Sequence, residues 1–203
     1  MIPAVILAAG KSTRMGRPKA LLPVGSTDTF LTHIVRTLNE ADVDDVVVVL
    51  GDEADAIVES AASSGVSPRF VLNPNYQSGQ LSSVLAGLRA IDRPGVVAML
   101  LTLVDVPLVP ASTVCAVLER YRATRAPVVR PVQGSRHGHP VLLDRRLFDA
   151  IRGADPTTGA KPIIRAHVSP EGEVHVEDDG AFVDIDTPED YLRFLNRSNV
   201  AGP

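Results

Sequence analysis

Short runs of aliphatic and β-branched residues alternate along this chain with segments of helical period. The runs are Ile2–Leu7, Val46–Leu50, Arg69–Leu72, Val96–Leu103 and Pro127–Arg130. Between them lie Phe30–Glu40, Ala54–Ala62, Leu81–Ala90 and Ser112–Tyr121, where apolar side chains recur at three- and four-residue intervals. In the first of these segments Ile34, Val35 and Leu38 share one face, and His33, Arg36 and Asn39 share the other. Strands that are apolar on both faces need cover on both faces. The expected fold is therefore α/β: a Rossmann-like three-layer α/β/α sandwich with a mostly parallel central sheet.

The last third is less regular. His139–Leu143 and Val174–Val176 read as strands, Asp144–Ile151 as a short helix and Thr187–Leu195 as a capped helix. In that last helix Thr187 is the expected N-cap, Pro188 stands in the first turn, and Asp190 is placed to complete a capping box. No linker divides the chain, so a single domain over residues 1–197 is expected, followed by a flexible tail over 198–203.

Composition excludes several classes. A net charge of −4 argues against nucleic-acid binding. Cys115 is the only cysteine, which rules out an intrachain disulfide and fits a reducing, cytoplasmic setting. The apolar run Val96–Val104, interrupted only by Thr102, is too short to span a bilayer, which takes ~20 helical residues. The N-terminus is apolar first and basic afterwards, the reverse of a secretory signal.

The chemistry concentrates in the loop after the first strand, Gly10-Lys11-Ser12-Thr13-Arg14-Met15-Gly16-Arg17-Pro18-Lys19. In an open α/β sheet, ligands sit beyond the carboxyl ends of the strands, where this loop emerges. Gly10 and Gly16 let main-chain N–H groups approach a phosphate, and Lys11, Arg14, Arg17 and Lys19 bring cations to an otherwise acidic chain. A solvated basic loop is the plainer alternative. The spacing fits neither GxxxxGK[ST] nor GxGxxG, which argues against a P-loop kinase and a nicotinamide dehydrogenase.

Asp105 follows the buried-looking strand through Val104 and projects toward the same crevice. A strand-end carboxylate suits Mg²⁺, which takes one or two carboxylates plus phosphate oxygens and water; capping of the next helix is the alternative. In Val183-Asp184-Ile185-Asp186, alternation puts both carboxylates on one face, which needs a compensating cation or hydrogen bonds. The polar stretch Asn73–Ser83 enters a helix, where it can bind an anion or a base edge, or simply cap. His137 and His139 share a face without an evident third metal ligand.

The segment Leu7–Lys19, LAAGKSTRMGRPK, resembles the signature LAAGxSxRMGxxK of the MobA-like NTP transferases, the nucleotidyltransferases related to the molybdenum-cofactor cytidylyl- and guanylyltransferases. Asp105-Val106-Pro107 is similar to the family's strand followed by DxP, with Val104 where the family often has glycine. The segments Asp186–Asp190, Gly79–Ser83, His139–Val141 and Gly159–Pro162 also resemble family segments. The resemblance implies a nucleotide-diphospho-sugar transferase type of fold, with Leu7, Ala8, Ala9 and Gly10 against base and ribose and Arg14 and Lys19 on the phosphates. It also implies Asn73, Ser78, Gly79 and Ser82 around the nucleotide, Asp105 and Asp186 on Mg²⁺ with Asp184 as the fallback, and His139 and Lys161 on the acceptor side.

The implied reaction is attack by an acceptor phosphate oxygen on the α-phosphorus of a nucleoside triphosphate, with release of pyrophosphate. Ala9, where the guanylyl branch has glycine, and His139-Pro140-Val141 favour CTP, with molybdopterin as acceptor and a molybdoenzyme or chaperone as protein partner. A nucleotidyltransferase using GTP, or a sugar or other phosphate acceptor, and a non-catalytic molybdenum-cofactor carrier are the alternatives. An oxidoreductase on the same sheet finds no supporting motif.

Overall fold

The strand Ala4–Ala8 (β1) is buried at every position, and the valine run Val46–Leu50 (β4) is equally covered. That double coverage organises the rest of the molecule. The computed structural model describes residues 1–51 and 53–200, the side chains of 197–200 excepted. After β1, a small hairpin of Pro23–Val24 (β2) and Asp28–Thr29 (β3) leads into α1 (Phe30–Glu40) and then β4. There follow α2 (Ala54–Ser63), β5 (Arg69–Leu72), α3 (Gln80–Ile91), β6 (Ala98–Leu103) and α4 (Ala111–Thr124). The remainder is β7 (Val128–Gln133), β8 (Arg136–His137), β9 (Val141–Asp144), α5 (Phe148–Arg152), α6 (Lys161–His167), β10 (Glu173–His175) and α7 (Pro188–Val200).

The main sheet runs β10-β7-β9-β6-β1-β4-β5, with β8 paired to β7. β1 pairs in parallel with both β4 and β6, β4 with β5, and β7 with β10, whereas β9 runs antiparallel to its two neighbours. The chain therefore builds outward from β1 through β4 to β5, then crosses back to lay β6 on the other side of β1. This reversal opens a crevice at the carboxyl ends of β1 and β6. Side chains alternate between two cores: Ile6, Val48 and Leu100 face one, and Val5, Val49 and Leu101 the other. The expected three-layer α/β/α sandwich is the observed fold. Among the described residues no helix is long and apolar enough to cross a membrane.

Two local structures matter for the site. Thr187 Oγ1 accepts from Asp190 N at 3.2 Å while Asp190 Oδ2 accepts from Thr187 N at 3.0 Å, so the expected capping box forms at the start of α7. Tyr191 and Phe194 then pack edge-on against Phe30, with centroids 5.8 and 5.6 Å apart. Such aromatic pairs contribute ~0.5–1.5 kcal/mol beyond their buried area, which fixes α7 and the acidic segment before it.

The differences from the sequence reading are physical. The strand read from Val96 begins at Ala98, because Val96 closes a turn onto Arg93 O. The helix read as Asp144–Ile151 starts later: Asp144 ends β9, where its carboxylate accepts from Tyr121 Oη and Arg146 N, and a 3₁₀ turn over Arg145–Leu147 precedes α5. The hairpin β2–β3, β8 and α6 are too short to show a period. α7 continues to Val200, and residues 201–203 of the expected tail lie outside the described residues.

Candidate active site

The loop after β1 holds its shape through its own backbone. Met15 N and Gly16 N donate to Ser12 O at 2.9 and 3.0 Å, and Lys19 N donates to Ser12 Oγ at 3.1 Å. Ser12 and Gly16 both have positive φ (49° and 73°), the curvature that two bonds to one carbonyl require. Met15 is buried in the core and anchors the loop from below. The result is a ring of backbone from which the Lys19 side chain is directed inward, where it is buried.

The Lys19 ammonium meets two carboxylates from distant parts of the chain. Its Nζ lies 3.0 Å from Asp105 Oδ2 and 2.5 Å from Asp186 Oδ1, and Arg14 reaches the other oxygen of Asp186 at 3.0 Å. The segment between Asp184 and Asp186 is tied to the sheet by Ile185, which is fully buried and donates its N–H to Asp105 O at 2.8 Å. The hydrogen bond and charge of Lys19, then Arg14, hold the Asp186 carboxyl below the usual range despite some burial. Desolvation, followed by the nearby negative charge of Asp105, pushes Asp184 up. Asp105 Oδ1 is buried with no hydrogen-bond partner.

Arg14, Lys19, Asp105 and Asp186 line a cleft of about 360 Å³ at the crevice between β1 and β6, together with Leu7, Ala9, Gly10, Tyr76, Gly79 and Ser83. Arg14, Lys19, Asp105 and Asp186 are thus brought together. Ala8 lines the adjoining hollow inside the glycine loop. Asn73, Ser78 and Ser82 do not line the cleft. The buried Asn73 amide donates to Ser82 Oγ and Ser83 Oγ at 2.9 and 3.0 Å, and Ser82 Oγ bonds Gly79 O, so Asn73 and Ser82 build the turn that carries Tyr76, Gln77 and Gly79. Tyr76, Gln77, Gln80 and Ser83 face the cleft in their place. Gly51 admits Tyr76 there: a Cβ at that position would stand 2.5 Å from Ala9 O and 2.7 Å from the Tyr76 ring, a juxtaposition that no sequence pattern announces.

A second hollow of about 300 Å³ adjoins the first, sharing Gln80 and Leu103, and brings His139, Lys161 and Asp184 together. Asp184 and Asp186, read as sharing one face, open into different hollows. His139 is partly buried and its Nδ1 lies 3.4 Å from Leu101 O. Burial outweighs that bond and the nearby acids, so the His139 ring is held neutral, below the ordinary histidine range. A depressed pKa contributes stability that is full above the ordinary value and is lost as pH falls through ~6.5 and below. Urea midpoints at mildly acidic and neutral pH are expected to differ less for His139→Asn than for the wild-type chain; equal differences would remove this assignment.

The donors fit a hard divalent cation. Asp105 and Asp186 already share one cation, and a buried oxygen of Asp105 is free. Among the described residues there is no cluster of three or more protein ligands, so phosphate oxygens and water would complete the sphere, as Mg²⁺ prefers. A backbone ring presenting cations, opposed across a switch-point crevice by strand-end carboxylates, defines an enzyme that handles nucleoside phosphates. Residues 4–171 match the MobA-like NTP transferase domain, and the chain belongs to that nucleotidyltransferase family.

Among its relatives is the nicotine blue oxidoreductase of Paenarthrobacter nicotinovorans, 31% identical over 96% of both chains. The molybdenum cofactor cytidylyltransferase of Escherichia coli is 27% identical over 97% of this chain and 96% of its own. A structure of Rv0371c from Mycobacterium tuberculosis in complex with manganese superimposes with a TM-score of 0.73 at 28% identity, covering 96% of this chain and 98% of that one.

Proposed function

We propose that this enzyme transfers CMP from CTP to the phosphate of an acceptor of the molybdopterin type, with Mg²⁺ and with release of pyrophosphate. The observation that carries the reading is the convergence of Lys19 from the glycine loop with Asp105 and Asp186 at one point of the crevice. Leu7, Ala9 and Gly10 give the base and ribose an apolar, closely approachable floor, and Ser83 and Gln80 offer hydrogen-bonding groups beside it. Arg14 and Lys19 hold the β- and γ-phosphates and take up the charge that develops on the leaving pyrophosphate. Asp105 and Asp186 hold the dication, which when bound neutralises charge on the α-phosphate. The acceptor phosphate is already ionised at neutral pH, so the chain's task is in-line placement from the neighbouring hollow.

The cytidylyl preference is supported by Ala9 in the floor and by the 97% coverage by the cytidylyltransferase relative. A thermal-shift series of CTP, GTP, ATP and UTP with Mg²⁺ is expected to rank CTP first, by several degrees; a larger shift with GTP would overturn the choice of base. The oxidoreductase relative favours a second reading, redox chemistry on the same scaffold. NADH oxidation with pyrophosphate release absent would establish that second reading.

A further inference from the structure

The hollow beside the nucleotide cleft has an aliphatic wall of Leu81 and Val84 from α3, Leu101 and Leu103 from β6, Val141 from β9 and Ile164 from α6. Into it, from β7, projects Arg130. Alternation along β7 puts Arg130 on the same face as Val128, the face packed against that wall. Its Nε is buried and makes no hydrogen bond, and among the described residues the guanidinium forms no hydrogen bond or ion pair at all. Glu173 is its register partner on β10, yet among the described residues no ion pair joins the two side chains. Elsewhere Arg69, Arg93, Arg145 and Arg152 each meet a carboxylate.

A guanidinium stays charged at any working pH, and leaving it partly buried without a counter-charge is costly. The hollow supplies little to offset it. Among the described residues lining the hollow, Lys161 adds a second cation, and the one carboxylate, Asp184, makes no ion pair with Arg130 or Lys161. The deficit is one of negative charge, and the fork of Arg130 presents parallel N–H donors that match a planar or tetrahedral oxyanion.

We infer that Arg130 is a specificity-determining residue for the acceptor: the second hollow takes a molecule with an apolar body that carries an oxyanion, remote from the oxygen that attacks, and Arg130 binds that oxyanion. The inference rests on the nucleotidyltransferase reading for the word acceptor, but the anion site itself does not depend on it. Carboxylate and phosphate share the required chemistry.

The test follows the Arg130 Nε–Hε resonance of the full chain by ¹H–¹⁵N NMR, assigned through its disappearance in Arg130→Gln, with CTP and Mg²⁺ present. Titration with inorganic phosphate, and separately with acetate, is expected to shift that resonance saturably, and the stronger of the two identifies the oxyanion. Phosphate or acetate affinity, read for both proteins from the backbone amide shifts of residues lining the hollow, is expected to fall about tenfold or more in Arg130→Gln, the scale of a lost charge-assisted hydrogen bond. CTP affinity is expected to stay within about twofold of wild type. An unmoved resonance with both anions, equal anion affinity in the variant, or a large loss of CTP affinity would each overturn the inference. Failure of the wild-type chain to bind CTP would instead count against the proposed function, and the Arg130 titration would still be readable without nucleotide.

Discussion

Asp105→Asn is expected to lower nucleotidyl transfer on the order of 10³-fold while leaving the melting temperature close to that of the wild-type chain. The size follows from the proposed role of the carboxylate in holding the dication. A bound dication that neutralises the α-phosphate is worth several kcal/mol at the transition state, and removing a single preorganised stabilising group elsewhere costs 10²–10³-fold in rate, about 3–4 kcal/mol. The small effect on folding has a structural reason. The substitution keeps the side chain's shape, the Ile185 N–H bond goes to the Asp105 backbone carbonyl, and Lys19 keeps Asp186 as a counter-ion. Pyrophosphate release with Mg²⁺ or Mn²⁺, measured beside a thermal melt, checks both halves. Undiminished turnover in a folded variant would remove Asp105 from the metal.

Lys19→Met is expected to lower turnover by about 10²–10³-fold, through loss of charge stabilisation at the leaving pyrophosphate. Its second effect is more diagnostic. In the nucleotide-free protein the ammonium sits on both carboxylates that would take a dication, so lysine and metal compete for them. Removing the lysine is expected to tighten Mn²⁺ binding in the absence of nucleotide, by EPR titration, even as activity falls. The pH dependence has a definite sign. The depressed pKa of Asp186 contributes stability that is present above the ordinary carboxylate range and lost as pH drops through it. Without Lys19 that contribution shrinks, so the variant's deficit in urea midpoint is expected to be largest near neutral pH and to close under acid. Mn²⁺ binding no tighter than wild type would show that the two cations do not share the position.

Much of the scaffold was legible because its strands are covered on both faces. Val46–Leu50, Arg69–Leu72 and Phe30–Glu40 carry their boundaries in their own composition, and the structure reproduces them residue for residue. The charged centre was legible for a different reason: glycines and cations after one strand, and an aspartate after another, lie at the carboxyl edge of any sheet built this way. The second layer was not. Asn73 and Ser82 have the chemistry of ligand-binding residues, but whether such groups face a cleft or bond one another depends on the turn they belong to. Arg130 was equally hidden. It stands in an apolar run, and that it meets no counter-charge is a fact of three dimensions.

Lys19 and Arg14 are clasped by Asp186, which lies beyond the stretch matching the family domain and near the far end of the chain. Translation reaches that residue only after every strand of the sheet has been made. Tyr191 and Phe194, just after it, pack in the core on Phe30, so a stop before Asp186 would remove core side chains together with a member of the charged cluster, and completing that cluster is bound to completing the fold.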